Sequence, residues 1–160
     1  MPDQKGLKAP RTFGIQDMIE NALGGAVRAF YDALSMRAPE LFSNAIDNDI
    51  EWTLFGPVDL FPFFGPRKGK KAVMAMFDDL SANLSIIRCE KETLLHDGDL
   101  AAGLVRLNAI DTRTGRTLSL RLALFAQFRN GKIVSMKALF DSFDAVEQAL
   151  GRHIDLSDVA

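Results

Sequence analysis

The chain is poor in cysteine, histidine, tyrosine and tryptophan and has no excess of basic charge, and each shortage removes a class of function. The one cysteine, Cys89, excludes an intramolecular disulfide and any cysteine-rich zinc site. The two histidines, His96 and His153, are far apart and have no metal-ligand spacing, so a metal-free site is expected. With 19 Lys and Arg against 21 Asp and Glu, the formal net charge of −2 provides no basic field for general nucleic-acid binding. No run approaches the ~18 uninterrupted apolar residues of a membrane span. Met1-Pro2-Asp3-Gln4-Lys5-Gly6 lacks the apolar region of a signal peptide, so a cytoplasmic protein with no membrane partner is expected. There is no Gly-x-Ser-x-Gly elbow and no dinucleotide fingerprint, and no cofactor is expected.

What is present is the composition of a soluble globular protein, 48% apolar and 25% charged over 160 residues. A chain of this length suits one domain, expected over 15–151, between an N-terminal arm over 1–14 and a tail over 152–160. The aromatic residues are lopsided, with 12 Phe against one Tyr and one Trp. Phe55, Phe61, Phe63, Phe64 and Phe77 crowd into one short tract with Trp52. Phe buries area without needing a polar partner, so the tract reads either as a plain Phe-rich core or as a core that includes an apolar cavity.

Ile19, Leu23, Val27, Phe30, Tyr31 and Leu34 recur at helical spacing and predict an amphipathic helix to about Met36. Pro39 suits the first position of a short second helix ending near Ile46. Asp49 to Phe55 reads as a strand, Gly56 to Pro66 as a proline-rich loop, and Gly69 to Asn83 as a helix with Val73, Phe77 and Leu80 on one face. Four apolar-rich runs follow, Ser85 to Leu95, Leu100 to Ile110, Leu118 to Phe128 and Ile133 to Phe140. Asp, Asn and Gly at their junctions predict three consecutive hairpins. A last helix is expected over Asp144 to Leu150. Helices first and strands later make an α+β fold, a curved antiparallel sheet wrapped around N-terminal helices.

Several candidate motifs have plain explanations. Arg67-Lys68-Gly69-Lys70-Lys71 lacks the first glycine and the Ser/Thr of a phosphate loop and reads as a solvated loop. His96 reads as an exposed turn residue and Cys89 as a buried inert thiol. Period two then places Arg106 and Asn108 on one strand face, and Ser135, Lys137, Leu139 and Asp141 on one face of the last strand. The opposite face, Val134, Met136, Ala138 and Phe140, is wholly apolar. Asp141 could cap the terminal helix, but Asp144-Ala145-Val146-Glu147 forms an Asp-x-x-Glu capping box by itself and leaves Asp141 free.

Phe30-Tyr31-Asp32-Ala33-Leu34 early, and Phe128-Arg129-Asn130-Gly131-Lys132-Ile133 followed by Phe140-Asp141 late, resemble the nuclear-transport-factor-two-like superfamily over about 17–150. The likeness is to its SnoaL-like, limonene-epoxide-hydrolase-like and ketosteroid-isomerase-related branches. The resemblance implies a cone with an apolar pocket, usually in a dimer. Arg106-Leu107-Asn108 matches the Arg-x-Asp motif of the epoxide hydrolases with Asn in place of Asp, and Asp141 matches their second carboxylate. Trp52 and Leu54 stand where that family has its water-holding residues. The ketosteroid isomerase base falls near Thr53 and its oxyanion acid near Leu124, while Tyr31 keeps the place of its oxyanion tyrosine.

The resemblance implies Asp141, Arg106 and Asn108 as catalytic residues. It also implies Tyr31, Trp52, Leu54, Phe64, Phe77, Leu122, Leu124 and Leu139 as a lining for a small hydrophobic ligand. Asp141 would act as general base, with Arg106, Asn108 and Tyr31 stabilising an oxyanion. The function expected is a cofactor-independent isomerase, cyclase or hydrolase. The alternatives are a binding module for a small hydrophobic ligand and a dimerisation module. Leu118, Leu120, Leu122 and Leu124 are expected to face inward with Arg106, Asn108 and Asp141. Ala123, Phe125, Met136, Ala138 and Phe140 would then form an outward patch for a homodimer.

Overall fold

The computed structural model describes residues 38–157, together with Gly25 and Asp32, each of which is helical. The expected arm, most of the expected first helix and Tyr31 lie outside the described residues. Pro39 opens α1 (Pro39–Ala45), which buries Phe42. Strand β1 (Ile46–Leu54) buries Ile50, Trp52 and Leu54 at alternate positions. The chain then forms a short strand β2 (Gly65–Lys68), antiparallel to β1, where a solvated loop was expected. Pro66 and the basic run are tolerated there because β2 is the sheet's outermost strand, which need not bond on both sides.

Gly69, at φ 82°, turns the chain into α2 (Lys70–Asn83), whose Val73, Met76, Phe77 and Leu80 are buried along one helical stripe. The rest is β3 (Leu84–Asp97), β4 (Leu100–Asp111), β5 (Thr117–Arg129), β6 (Lys132–Phe140) and α3 (Ser142–Leu150). His96 therefore lies at the end of a strand, half-buried, and not in an exposed turn. Asn130 and Gly131, at φ 51° and 73°, supply the two left-handed residues of a tight hairpin turn.

The six strands form one open sheet in the order β2-β1-β6-β5-β4-β3. All neighbours are antiparallel except β1 and β6, which run parallel. Register shifts at Ile86/Arg88 and Lys91/Thr93 on β3, and opposite Gln127/Phe128 on β6, break strict alternation. A bulge of this kind re-aims the side chains that follow it. Ile86 and Cys89, three apart, are thereby on one face, as are Ile133 and Met136.

Residues paired directly across strands share a sheet face. Val105 pairs with Leu122, Leu124 with Ala138, and Leu122 with Phe140, and these make the inner face. Arg106 pairs with Arg121, Asn108 with Ser119, and Ala123 with Leu139, and these make the outer face. The expected face assignment of β6 is therefore reversed. Met136 and Ala138 are 3% and 0% exposed and belong to the core, so they are not part of an outward patch. Leu118 to Leu124 at even positions do face inward, but Arg106, Asn108, Leu139 and Asp141 do not accompany them.

The second correction concerns α3, which starts at Ser142 with Asp141 as its cap. The Asp141 carboxylate accepts the backbone N–H groups of Phe143 at 3.1 Å and Asp144 at 3.0 Å. It is not left free by the Asp144 box. Where β6 ends, α3 covers the edge of β5 in its place. The Gln148 side chain accepts the Ser119 N–H at 2.6 Å and donates to the Ser119 carbonyl at 3.0 Å. Arg116 adds a bond to the carbonyl of Ala149 at 3.1 Å.

Candidate ligand-binding cavity

The inner face of the sheet and α1 enclose an apolar cavity of about 40 Å³. Among the described residues its walls are Phe42 from α1, Trp52 and Leu54 from β1, Cys89 from β3, Val105 and Leu107 from β4, Leu122 and Leu124 from β5, and Ile133, Met136 and Ala138 from β6. Trp52 is held edge-on against Phe42 and Phe77, with ring centroids 5.5 and 5.7 Å apart, so the aromatic wall is firmly packed. The one titratable lining group among these is the Cys89 thiol. Burial, and then the charge of Glu90, push its pKa above the ordinary thiol value of 9.0, so it is protonated and neutral at physiological pH. The described walls offer apolar contact area and no charge. Such a site favours an uncharged guest, because an ion would lose its hydration without a counter-charge.

A second, polar hollow of about 230 Å³ lies where β6 gives way to α3, lined by Arg106, Ser119, Leu120, Arg121, Phe140, Asp141 and Asp144. Arg106 and Arg121 are direct cross-strand partners, a like-charge arrangement that costs stability unless a counter-charge intervenes. Glu92 provides it. Its carboxylate meets Arg106 at 2.7 Å and Arg121 at 3.0 Å. The hydrogen bond from Arg106, followed by that from Arg121, lowers the Glu92 pKa from the usual carboxylate value. Both guanidinium groups are thus already engaged.

Of the residues singled out from the sequence, Trp52, Leu54, Leu122 and Leu124 line the cavity. Phe77 stands behind the wall against Phe42 and Trp52. Phe64 belongs to a separate aromatic cluster with Phe61, Phe63 and Phe140. Leu139 is 41% exposed on the outer face. Arg106 and Asp141 come together, but in the polar hollow and not among the apolar walls. Asn108 is on that same outer face, opposite Ser119. Tyr31 lies outside the described residues.

Sequence reasoning missed Phe42, Val105, Leu107, Ile133, Met136, Ala138 and the cavity position of Cys89. For Val105 and Leu107 the signal was present, since they alternate with Arg106 and Asn108. For Cys89 and Ile133 a bulge removed it. Among the described residues no three His, Cys, Asp or Glu side chains converge as a metal site. No helix among them is long and apolar enough to cross a membrane.

A SnoaL-like domain model matches residues 27–136. No curated protein matches the chain. Among solved structures, a provisionally assigned isomerase from Rhodopseudomonas palustris is 40% identical, with a TM-score of 0.78 over 82% of this chain and 97% of that one. An epoxide hydrolase from M. tuberculosis resembling limonene epoxide hydrolase is 16% identical, with a TM-score of 0.65 over 82% of this chain and 91% of that one. A protein of ketosteroid isomerase-like fold from Catenulispora acidiphila, solved with trimethylamine, is 12% identical, with a TM-score of 0.67 over 79% of this chain and 92% of that one. The last two show the fold alone.

Proposed function

The chain belongs to the SnoaL-like family, and from that premise we propose that it binds a small, uncharged, apolar organic molecule in the cavity on the inner face of its sheet. The observation that carries this reading is the lining itself. Every described wall residue is apolar except Cys89, and Cys89 is neutral. A mostly apolar lining with few polar groups is the usual chemistry of a small-molecule site. Native mass spectrometry of freshly purified protein tests it. The expected result is a co-purified or added apolar molecule of one-to-one stoichiometry that is lost on denaturation. Protein that carries no such molecule and gains none from a panel of terpenoid, polyketide-like and aromatic compounds counts against it.

A second reading is favoured by the R. palustris relative, provisionally assigned as an isomerase. In this reading the chain is a cofactor-independent isomerase, cyclase or hydrolase, with Asp141 as general base and Arg106 and Asn108 as its companions. Asp141 would have to take a proton from a substrate presented at the polar hollow, giving up its bonds to Phe143 and Asp144 to do so. Asp141→Asn keeps the cap and removes the base, so turnover of any substrate found separates the two roles.

The proposed partner is a second copy of this chain. Leu95, Leu100, Phe125 and Leu139 are 65%, 56%, 52% and 41% exposed. The first three line an outer-face hollow of about 400 Å³. Arg106 and Arg121, each paired with Glu92 within the chain, lie on the same face, so an apolar patch meeting its own copy by two-fold symmetry would face no unpaired like charge from them.

A further inference from the structure

The binding reading leaves a conflict of size. A dry cavity of ~150 Å³ is what takes up a benzene molecule, and this one measures about 40 Å³. Something in the wall must give before any ring can enter. Part of the described wall is stiff. Trp52 is fixed by its edge contacts with Phe42 and Phe77. Val105 and Ile133 are β-branched and restricted at χ1, and they are 4% and 0% exposed. Ala138 has nothing to move.

Met136 is different. Among the described walls it is the longest unbranched side chain, with three rotatable bonds and a soft thioether that repacks at little cost. Its cross-strand partners are Trp52 on β1 and Ala126 on β5, and Ala138 is the next inward residue on its own strand. Two of these three described neighbours are alanines, so on β5 and β6 the Met136 side chain lies beside small residues.

We infer that Met136 is the adjustable wall of the cavity and sets the size of guest it takes, the guests being uncharged aromatic hydrocarbons larger than the resting volume. This rests on the binding reading and extends it to a specificity-determining residue. When Met136 turns aside, the space it leaves adjoins Trp52, so an entering ring contacts the indole. Because Trp52 is the one tryptophan of the chain, its fluorescence reports this event directly.

The experiment titrates the full chain, Met136→Ala and Met136→Ile with benzene, ethylbenzene and butylbenzene while Trp52 emission is recorded. Met136→Ala is expected to bind butylbenzene about tenfold more tightly than the parent, the gain from burying two further methylene groups. Met136→Ile keeps the bulk but stiffens χ1, and is expected to bind butylbenzene about tenfold more weakly than the parent. The same affinities and the same size order in all three proteins overturn the role of Met136 and leave the binding reading standing. No response to any alkylbenzene in any of the three overturns the binding reading and this inference together. If Met136→Ala does not fold, the comparison of the parent with Met136→Ile decides alone.

Discussion

The Asp141 carboxylate accepts the backbone N–H of Phe143 at 3.1 Å, and this bond assigns to helix capping a side chain that the sequence offered equally to catalysis. Removing the cap with Asp141→Ala is expected to cost about 1 kcal/mol, read as a lower midpoint in chemical denaturation. Asn caps about as well as Asp, so Asp141→Asn is expected to stay within a few tenths of a kcal/mol of the parent. Equal stability of the Ala variant and the parent would remove capping as the role of Asp141.

Asp111 is 1% exposed and is gripped by Arg113 through bonds of 3.1 Å to each of its oxygens. Burial alone would raise its pKa, but the side-chain and backbone bonds from Arg113 outweigh it and hold the carboxyl below the ordinary 3.8. A depressed folded-state pKa gives stability that is present above the unfolded value and lost as pH falls through the folded one. Stability is therefore expected to decline below about pH 4, and Asp111→Asn should flatten that acid limb in denaturant titrations at graded pH.

Arg113 also donates to the Leu60 carbonyl at 3.3 Å and lies 5.4 Å from the centre of the Phe61 ring. It joins the β4–β5 turn to the Phe-rich segment after β1. Arg113→Met leaves Asp111 buried without its main partner, at an expected cost of about 1–3 kcal/mol. Because Arg113 itself is half-exposed and water can reach it, the lower end is expected in thermal denaturation.

Gly56 has no room for a side chain. A Cβ there would come within 2.5 Å of Phe64 Cδ2 and 2.8 Å of Phe140 Cζ, two rings that are packed against each other. Gly56→Ala is expected to destabilise by about 1–3 kcal/mol through overpacking. A Gly56→Ala protein with parent stability in chemical denaturation would show that the two rings shift aside freely.

The outer face carries the expectation of a dimer. Sedimentation velocity at micromolar concentration is expected to give twice the chain mass. Phe125→Glu should give a monomer with an unchanged far-ultraviolet spectrum, since a charge in the middle of an apolar contact cannot be desolvated cheaply. A monomeric parent protein ends this proposal.

Much of the architecture could be read from local pattern. The helical stripe Val73-Phe77-Leu80 became α2, and Asn130-Gly131 became a left-handed turn, because periodicity and turn chemistry act within a few residues. Of the site, Leu122 and Leu124 were legible as inward residues at alternate positions of one strand, and Trp52 and Leu54 through the family resemblance.

Which face of each strand turns inward was not legible. Alternation sorts a strand's side chains into two sets, but only pairing with its neighbours says which set meets the core. The register Leu124–Ala138 put Met136 and Ala138 inside and Leu139 and Asp141 outside, contrary to expectation. Bulges on β3 and β6 then changed the parity that brings Cys89 and Ile133 to the cavity. The start of α3 was decided in the same way. Two carboxylates three residues apart could each cap a helix, and the place where β6 leaves the sheet selected Asp141. The sequence by itself determined α1, α2, α3, the five longer strands and their order, because those depend on short-range propensity, whereas β2 exists only through its pairing with β1. Tertiary pairing alone decided what the cavity is made of, because the face of a strand is a property of the sheet.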